Sequence, residues 1–485
     1  MDNKLKVVLQ RFWFWAFLAI GLVLVFATMS GSPIHWQDEV QINEIGRKIL
    51  HHGNPEWDMK AKMDSSGGDF GYSLWGAAVW LHEVAYLAIG HIGPRVVTEI
   101  FLLVAVLLFR SYAISATANR FYSELLSLLF FSFPLLHVGR AEPYVFCALF
   151  LSLFLIRKNC LGKDYSMIAA GSFSIFCLFT WPTAIVLMPI IGNELVNRLE
   201  NNVYSCRRKV RDVILFSLGA ILWAFLIMFP FLCDIKGMLL LISNSSSRSA
   251  KIGSGLFLDV FLKHFLVLPY HYILGVGCLF VCYRKWLLII GGLLFLGMCT
   301  ISRVYEFRLI YFLPYVLVGA IYAYTSISLP RYKRFLILIT AIIAIIMFER
   351  GLVRRRVIDL LGSDLHDNSI LELAFKGHIP EGAKVYSHTF NTYYVGRKLG
   401  WKQYQLDFQD NTLGAQYLAD MEYFVVEERS MNETLKYLLE ESGFIQYRRI
   451  EYPLIHLGEF SRHFNMLGKL KIWGPWLIYK NQLQR

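Results

Sequence analysis

The sequence predicts a polytopic α-helical membrane protein that ends in a small α/β domain outside the membrane. Apolar residues make up 56% of the 485 positions and charged residues only 17%, whereas soluble domains carry about 25% charged residues. The mean hydropathy is +0.45, and the apolar residues gather in many runs close to the roughly 20 residues that a membrane helix needs. This composition excludes a disordered chain and an ordinary cytosolic enzyme.

The distribution of basic residues supports the membrane assignment. The net charge is +12, but Lys and Arg occur in short clusters between apolar runs, such as Arg207-Arg208-Lys209 and Lys333-Arg334. Cytoplasmic loops of membrane proteins carry such clusters, so we expect no nucleic-acid partner. The eight cysteines show no CxxC spacing and mostly lie in apolar runs, which indicates buried thiols rather than disulfides or a zinc site.

The first apolar run, 12–29, follows Lys4, Lys6 and Arg11. No small-x-small cleavage site comes after it, so we expect an uncleaved first helix rather than a signal peptide. The basic residues before the run place the amino end inside the cell. Residues 30–93 then form the first outer loop.

Residues 71–90 are apolar but interrupted by Gly, His and Glu. If they crossed the membrane, the basic clusters at Arg110 and Arg157 would fall outside, against the positive-inside rule. We therefore expect an interfacial helix that does not cross. The same rule requires an even number of crossings within residues 166–192. This predicts two short helices hinged at Trp181-Pro182, because Pro ends or kinks the helix before it.

The remaining apolar runs complete a count of about eleven spans. They lie at about 94–114, 121–138, 143–157, 212–232, 257–282, 285–302, 309–328 and 334–349. An odd number of crossings brings the chain out on the outer face. Residues 1–349 then form a transmembrane domain in the inner or plasma membrane, and residues 350–485 form an extracytoplasmic domain.

Hydrophobic patterns in the polar C-terminal domain predict a small α/β fold. Strand-like runs occur at 383–388, 423–427, 445–452 and 476–479, and a helical pattern at 432–442 separates the second from the third.

Two adjacent carboxylates, Asp38 and Glu39, follow the first span by about nine residues. Ionised groups are costly near a membrane, so such carboxylates tend to be paired or functional. The functional interpretation is a general base that takes a proton from an acceptor hydroxyl or amine. The structural alternative is an N-cap, in which Asp38 accepts hydrogen bonds from the first N–H groups of a helix over 40–51.

Arginines in two further outer loops predict an anion-binding function. Arg140 and Glu142 lie in the loop after the third span, where the structural alternative is a simple ion pair. Arg303 and Arg308 lie in a short polar break on the side where the positive-inside rule disfavours them. Arg suits phosphate because its planar fork donates two hydrogen bonds. The alternative for this second pair is interfacial snorkelling.

Metal-ligand spacing is not found among the histidines near the acidic pair. His35, His51, His52 and His82 form no HxxxH or HExxH motif, so solvated histidines are the better interpretation. The sequence assigns no cofactor and leaves a divalent cation as an open alternative.

The acidic pair is the first of several motifs whose order is informative. The others are Gly93-Pro94-Arg95-Val96-Val97, Gly139-Arg140-Ala141-Glu142-Pro143, Thr180-Trp181-Pro182 and Arg308-Leu309-Ile310-Tyr311-Phe312-Leu313-Pro314. This ordered pattern, over about residues 1–350, resembles the GT-C glycosyltransferases that use polyprenyl-phosphate sugars, in the protein O-mannosyltransferase and aminoarabinose-transferase branch.

The resemblance implies transfer of a sugar from a lipid-phosphate donor to an acceptor at the outer membrane face, with inversion. It implies that Asp38 is catalytic and that Glu39 completes the pair. Glu142 maps onto the acidic residue of the second outer loop, where many relatives carry Asp. Arg303 and Arg308 map onto the segment expected to contact the donor phosphate.

The sequence departs from the family pattern at the interfacial helix. Several relatives carry Lys-Pro-Pro there, whereas residues 68–72 read Gly-Asp-Phe-Gly-Tyr. Lys60 or Lys62 is then the candidate lysine for the phosphate.

Two other classes of function remain as alternatives. A lipid or polysaccharide transporter or flippase would have a similar number of spans, but would usually show ionisable residues in mid-membrane and inverted repeats. A structural assembly subunit would not need outward-facing arginines. The expected partners are a polyprenyl-phosphate-sugar donor, a glycan, lipid or protein acceptor, and membrane lipid.

Overall fold

A computed structural model of the chain describes residues 3–30, 37–52, 77–158, 163–200, 205–228, 274–275, 277–278, 285–301, 310–361, 368–387, 392–404, 418, 420–451 and 474–483. The architecture below concerns these residues. They are mostly helical up to residue 361, and a five-stranded sheet follows in the C-terminal part.

Long helices coincide with most of the apolar runs of the sequence. The described helices are α1 (Asn3–Thr28), α2 (Gln37–His52), α3 (Ala77–Ile89), α4 (Gly93–Thr117), α5 (Arg120–Phe131), α6 (Glu142–Lys158), α7 (Lys163–Thr180), α8 (Met188–Glu200), α9 (Cys206–Met228), α10 (Trp286–Ile301), α11 (Leu313–Ser326) and α12 (Pro330–Met347). A π-helical turn, Phe348–Val353, continues α12 into α13 (Arg354–Leu361), and α14 (Asn368–Phe375) follows.

Prolines set two of the helix ends. The expected span over 121–138 is shorter than predicted, because α5 ends at Phe131 and Pro134 opens a 3-10 turn; a helix rarely continues into the residue before Pro. The predicted break at Trp181-Pro182 is confirmed, since α7 ends at Thr180 and the 3-10 helix Pro182–Leu187 leads into α8.

Two helical stretches among the described residues are long and apolar enough to cross a membrane, Trp80–Thr117 and Pro330–Leu360. Shorter apolar helices cover Phe12–Thr28, Asp164–Thr180 and Ile310–Ser326. The count of eleven spans therefore stays a prediction. A straight helix of the 38 residues in the first stretch would be about 57 Å long, almost twice the thickness of a hydrocarbon core. The stretch is divided at Gly90, whose φ is +74°.

The chain divides into two compact units. The helical unit contains the described residues within Met1–Val23, Ser73–Ala78 and Val97–Arg354. The sheet unit contains those within Leu24–Tyr72, Val79–Val96 and Arg355–Arg485. The sheet unit thus includes α2 as well as the C-terminal sheet. The division at residue 349 that composition suggests stays a prediction.

Inside the helical unit, α7 and α9 approach through two glycines. A Cβ atom on Gly171 would collide with the carbonyl oxygen of Phe216, and one on Gly219 would collide with that of Ile168. Small residues allow backbones to approach this closely, which is a common device in membrane helix packing. Either substitution by Ala would force the two helices apart.

The sheet has the order β2-β1-β3-β5-β4. Its elements are β1 (Lys384–Ser387), α15 (Tyr393–Lys398), β2 (Lys402–Tyr404), β3 (Tyr423–Glu427), α16 (Glu433–Glu441), β4 (Phe444–Ile450) and β5 (Trp476–Asn481). Strand β1 pairs in parallel with β2 and β3, whereas β5 pairs antiparallel with β3 and β4. Four of these strands were predicted. The fifth, β2, has three residues and is too short to show a period-2 pattern.

Two apolar clusters cover the two faces of this sheet. One contains Phe375, Trp401 and Trp476, and the other contains Phe424 and Tyr479. Successive residues of a strand point to opposite faces. This explains why Trp476 and Tyr479, three residues apart on β5, belong to different clusters.

Candidate functional site

The predicted catalytic pair lies in the first turn of α2. This helix begins at Gln37, earlier than the expected start at residue 40. Asp38 is therefore the second residue of the helix, and the N-cap alternative is wrong in the form in which it was stated. A carboxylate in a first turn is still favoured by the helix dipole. The side chain of Asp38 lies outside the described part of the structure.

The Glu39 side chain is fully buried and forms a bidentate ion pair with Arg95 of α4. Arg95 Nε lies 3.0 Å from Glu39 Oε1, and Arg95 Nη2 lies 3.1 Å from Oε2. The remaining terminal nitrogen of Arg95 donates to the carbonyl oxygen of Met29 at 3.0 Å. Arg95 thus ties the first turn of α2 to the residue that follows α1.

The next turn of α2 contacts α15 of the C-terminal sheet region. Asn43 Oδ1 accepts a hydrogen bond of 2.7 Å from Arg397 Nη1. Glu44 accepts one of 2.7 Å from the hydroxyl of Tyr393. Burial, followed by the charge of Glu44, raises the pKa of Tyr393 well above its usual value, so its hydroxyl stays protonated and donates.

Arg397 also joins α15 to α3. Its two terminal nitrogens lie 2.8 and 3.0 Å from the two carboxylate oxygens of Glu83. Its guanidinium carbon lies 3.8 Å from the ring centroid of Tyr86, and that ring stacks on Tyr394 with centroids 5.6 Å apart. A guanidinium group that pairs with a carboxylate and stacks on an aromatic ring makes two strong interactions at once.

The segment between α5 and the first turn of α6, within the helical unit, holds a local ion pair. Arg140 donates from Nε to Glu142 Oε2 at 3.1 Å, and its Nη2 lies 2.9 Å from Oε1. Both side chains are buried, and the Arg140 guanidinium carbon lies 6.0 Å from the ring centroid of Trp181. The structural alternative stated for this loop, in which the two side chains pair, is the arrangement observed. Phosphate binding by Arg140 stays a prediction.

A buried histidine in the same loop pairs with Glu99 of α4. His137 Nδ1 lies 3.0 Å from each oxygen of Glu99, and Nε2 lies 2.7 Å from the carbonyl oxygen of Phe131. A carboxylate and a carbonyl are both acceptors. Both ring nitrogens of His137 therefore face acceptor groups.

Four predicted site residues fall outside the described residues. They are Lys60, Lys62, Arg303 and Arg308, and their phosphate-binding roles remain predictions. Among the described residues, no group of three or more His, Cys, Asp or Glu side chains could hold a metal ion.

Sequence reasoning did not assign a role to Arg95, Glu83, Tyr393 or Arg397. Two of them carried a signal: Glu83 interrupts an apolar run and Arg95 opens one, and charges in such positions are expensive enough to indicate function. The other two lie in a short polar segment with no distinctive pattern.

The chain has a GT-C-like fold, and the expectation drawn from its ordered motifs is confirmed at the level of the fold. It is similar to the crystal structure of ArnT from Cupriavidus metallidurans in the apo state, with a TM-score of 0.58 and 12% sequence identity. The similarity covers 97% of this chain and 98% of that one. No family model matches the sequence, and no curated protein does.

Proposed function

We propose that the protein is an integral membrane glycosyltransferase that moves a sugar from a polyprenyl-phosphate donor to a lipid, glycan or protein acceptor at the outer membrane face. The observation that carries the proposal is the GT-C-like fold shared with ArnT over almost the whole chain. The acidic pair at the start of α2 supports it, because acceptor activation requires a base.

The proposed reaction is a single displacement. The acceptor O–H or N–H attacks the anomeric carbon, the bond from that carbon to the phosphate oxygen breaks, and Asp38 takes the acceptor proton. Polyprenyl phosphate leaves with the bonding electron pair, and the configuration at the anomeric carbon inverts. Glu39 is held by Arg95, which suits it to fix the first turn of α2 beside Asp38.

The leaving phosphate needs positive charge, because negative charge develops on its oxygen in the transition state. We assign this function to Arg303 and Arg308, with Arg140 and a lysine, Lys60 or Lys62, as further candidates. The guanidinium of Arg140 is already paired with Glu142. A phosphate at Arg140 would therefore share this guanidinium with the Glu142 carboxylate. A divalent cation remains an alternative source of the charge.

The orientation proposed for the chain has the amino end in the cytoplasm and residues 350–485 outside the inner or plasma membrane. No feature of the described residues favours the transporter alternative.

Sugar transfer by the purified full-length protein in detergent tests this function. The donors are polyprenyl-phosphate-linked mannose and aminoarabinose with labelled sugars, and the acceptors are a membrane lipid extract, envelope glycan and a Ser/Thr-rich peptide. We expect label on one acceptor class together with released polyprenyl phosphate. Donor transport across intact vesicles without release of polyprenyl phosphate would instead establish a transporter.

Arg308 variants test the donor site within the same assay. Arg308→Ala should raise the KM for the donor roughly 10-fold or more, because it removes a charge-assisted hydrogen bond to phosphate. Arg308→Lys should recover part of this loss, since the Lys ammonium keeps the positive charge but lacks the planar pair of N–H donors of Arg. Arg331→Met, at an exposed position of α12, is the matched control. Parent kinetics in both Arg308 variants would remove this segment from the donor site.

A further inference from the structure

We propose that α15 is a positioning element for the acidic helix α2, with Arg397 and Tyr393 as positioning residues for sugar transfer. The inference rests on the proposed function, because it assigns to these residues the alignment of the helix that carries Asp38. All the contacts that carry it lie within the sheet unit.

Two residues of α2 that contact other elements lie one turn apart along the helix. Glu39 and Asn43 are four residues apart and so lie on the same face of the helix. Arg95 holds the first of these positions, and Arg397 holds the second. Two attachment points about 6 Å apart along the axis restrain both the position and the rotation of the turn that contains Asp38.

Several contacts fix the orientation of the Arg397 guanidinium. A hydrogen bond to Asn43 alone would leave the guanidinium free to rotate. The bidentate pair with Glu83 and the contact with the Tyr86 ring restrict the plane of the fork. A buried charge is costly to leave without its partner, so these contacts resist separation of α15 from α2 and α3.

Tyr393 adds a third attachment one residue further along α2. Its hydroxyl donates to Glu44, and both oxygens of Glu44 also accept from Arg47 of the same helix, Oε2 from Nε and Oε1 from Nη2. The Tyr393 side chain is fully buried. Rotation of α2 about its axis would therefore break the Tyr393 and Arg397 contacts together.

The sheet supplies the support for α15. The helix lies on the connection between the parallel strands β1 and β2. The hydroxyls of Ser387 and Thr392 hydrogen-bond to each other before it, and Gln403 of β2 donates to the carbonyl oxygen of Tyr393 at 2.6 Å. A site is held accurately when its supporting residues are themselves fixed on regular elements.

Variants of the two positioning residues test the proposal in the full-length protein. Arg397→Met should lower kcat by about 10- to 100-fold, because misplacement of a catalytic group by about 1 Å costs rate on this scale. The KM for the polyprenyl-phosphate sugar should stay within about 2-fold of the parent value, since the substitution removes no contact with the bound donor. Arg397→Lys should recover part of kcat, and Tyr393→Phe should lose less than Arg397→Met.

Amide hydrogen exchange supplies a readout that does not depend on transfer. In Arg397→Met, peptides covering 37–52 should exchange at least about 10-fold faster than in the parent protein, because a local opening becomes easier. Arg449→Met is the matched control: it removes an Arg from an exposed ion pair of the same sheet region and should change neither exchange nor kcat.

Three outcomes would contradict these proposals, and they are distinguishable. Unchanged exchange at 37–52 in Arg397→Met would show that α15 does not hold α2. Faster exchange with parent kcat would show that α2 is held but that its alignment does not matter for transfer. A parent protein that transfers no sugar from either donor would refute the proposed function and the catalytic part of this inference, while the exchange result would still decide whether α15 holds α2.

Discussion

Two polar clusters among the described residues, the Arg140–Glu142 pair and the contacts around α2, use the same chemistry over very different distances along the chain. Between α5 and α6, Arg140 and Glu142 pair across two residues. In the acidic helix α2, Glu39 pairs with an arginine 56 residues away, and in α3 Glu83 pairs with one 314 residues away. All three are bidentate arginine–carboxylate pairs, and all three carboxylates are buried.

The difference shows which part of the candidate machinery depends on the rest of the fold. The Arg140–Glu142 pair closes within one loop, so its geometry follows from local backbone conformation. The position of α2 depends on residues from α4 and from α15. Changes in α15 should therefore disturb the acidic helix and leave the Arg140–Glu142 ion pair in place.

The largest expected effect is a loss of turnover in Asp38→Asn, which should exceed the loss in Glu39→Gln. Asp38→Asn should reduce turnover roughly 100-fold or more, the usual size of a general-base contribution, with little change in stability. Glu39→Gln should reduce turnover less and lower the thermal midpoint as well, because it weakens a buried charge-assisted pair worth about 1.5–3 kcal/mol. Both are measured as kcat for sugar transfer and as unfolding in detergent. Near-parent transfer by the double variant would show that neither carboxylate is catalytic.

The second prediction concerns the attachment at Arg95. Arg95→Met leaves Glu39 buried without its bidentate partner, which should cost about 3–5 kcal/mol of unfolding free energy. Arg120→Met is the control, because Arg120 is about half exposed and its partner Glu124 also pairs with Arg110; loss of such a pair costs about 1 kcal/mol or less. Equal midpoint shifts in the two variants would show that the long-range pair is no more important than a peripheral one.

The third prediction tests whether the local pair is structural or functional. Removing both charges together, as Arg140→Met with Glu142→Leu, should change the unfolding free energy by only about 1 kcal/mol, because apolar replacement of a buried pair is often neutral. If Arg140 binds donor phosphate, this folded variant should still lose affinity for polyprenyl phosphate. Unchanged affinity would confine the pair to a structural role.

The smallest expected effect is at the exposed pair of Glu428 and Arg449. The hydrogen bond from Arg449 lowers the pKa of the Glu428 carboxyl. A lowered folded-state pKa contributes stability above the ordinary carboxyl pKa, and this contribution disappears as the pH falls through the folded-state value. Because both groups are solvent-exposed and screened, Arg449→Met should leave the thermal midpoint unchanged at pH 7 and at pH 4. A shift as large as that of Arg95→Met would contradict the contrast between buried and exposed pairs.

Local sequence patterns predicted many elements of this fold correctly. The break at Trp181-Pro182, four strands of the sheet and helix α16 were all expected, because proline geometry and hydrophobic periodicity act over a few residues. For α16, Asn432 accepts a hydrogen bond of 2.7 Å from the amide of Leu435, which is the N-cap arrangement that its sequence favours. The start of α2 was misplaced by three residues, since helix ends depend on packing as well as on propensity.

By itself, then, the sequence predicted the GT-C-like fold through its ordered motifs, most of the described helix and strand positions, and the proximity of Arg140 to Glu142. Only the tertiary structure showed that Glu39 forms an ion pair with Arg95. It also showed that Tyr393 and Arg397 of the six-residue helix α15 contact α2. The physical reason is that capping, proline effects and periodicity are encoded within a turn or two. The partner of a buried charge instead depends on which distant segments pack together. The sequence of a short polar segment such as α15 contains no local pattern that indicates which carboxylates it contacts.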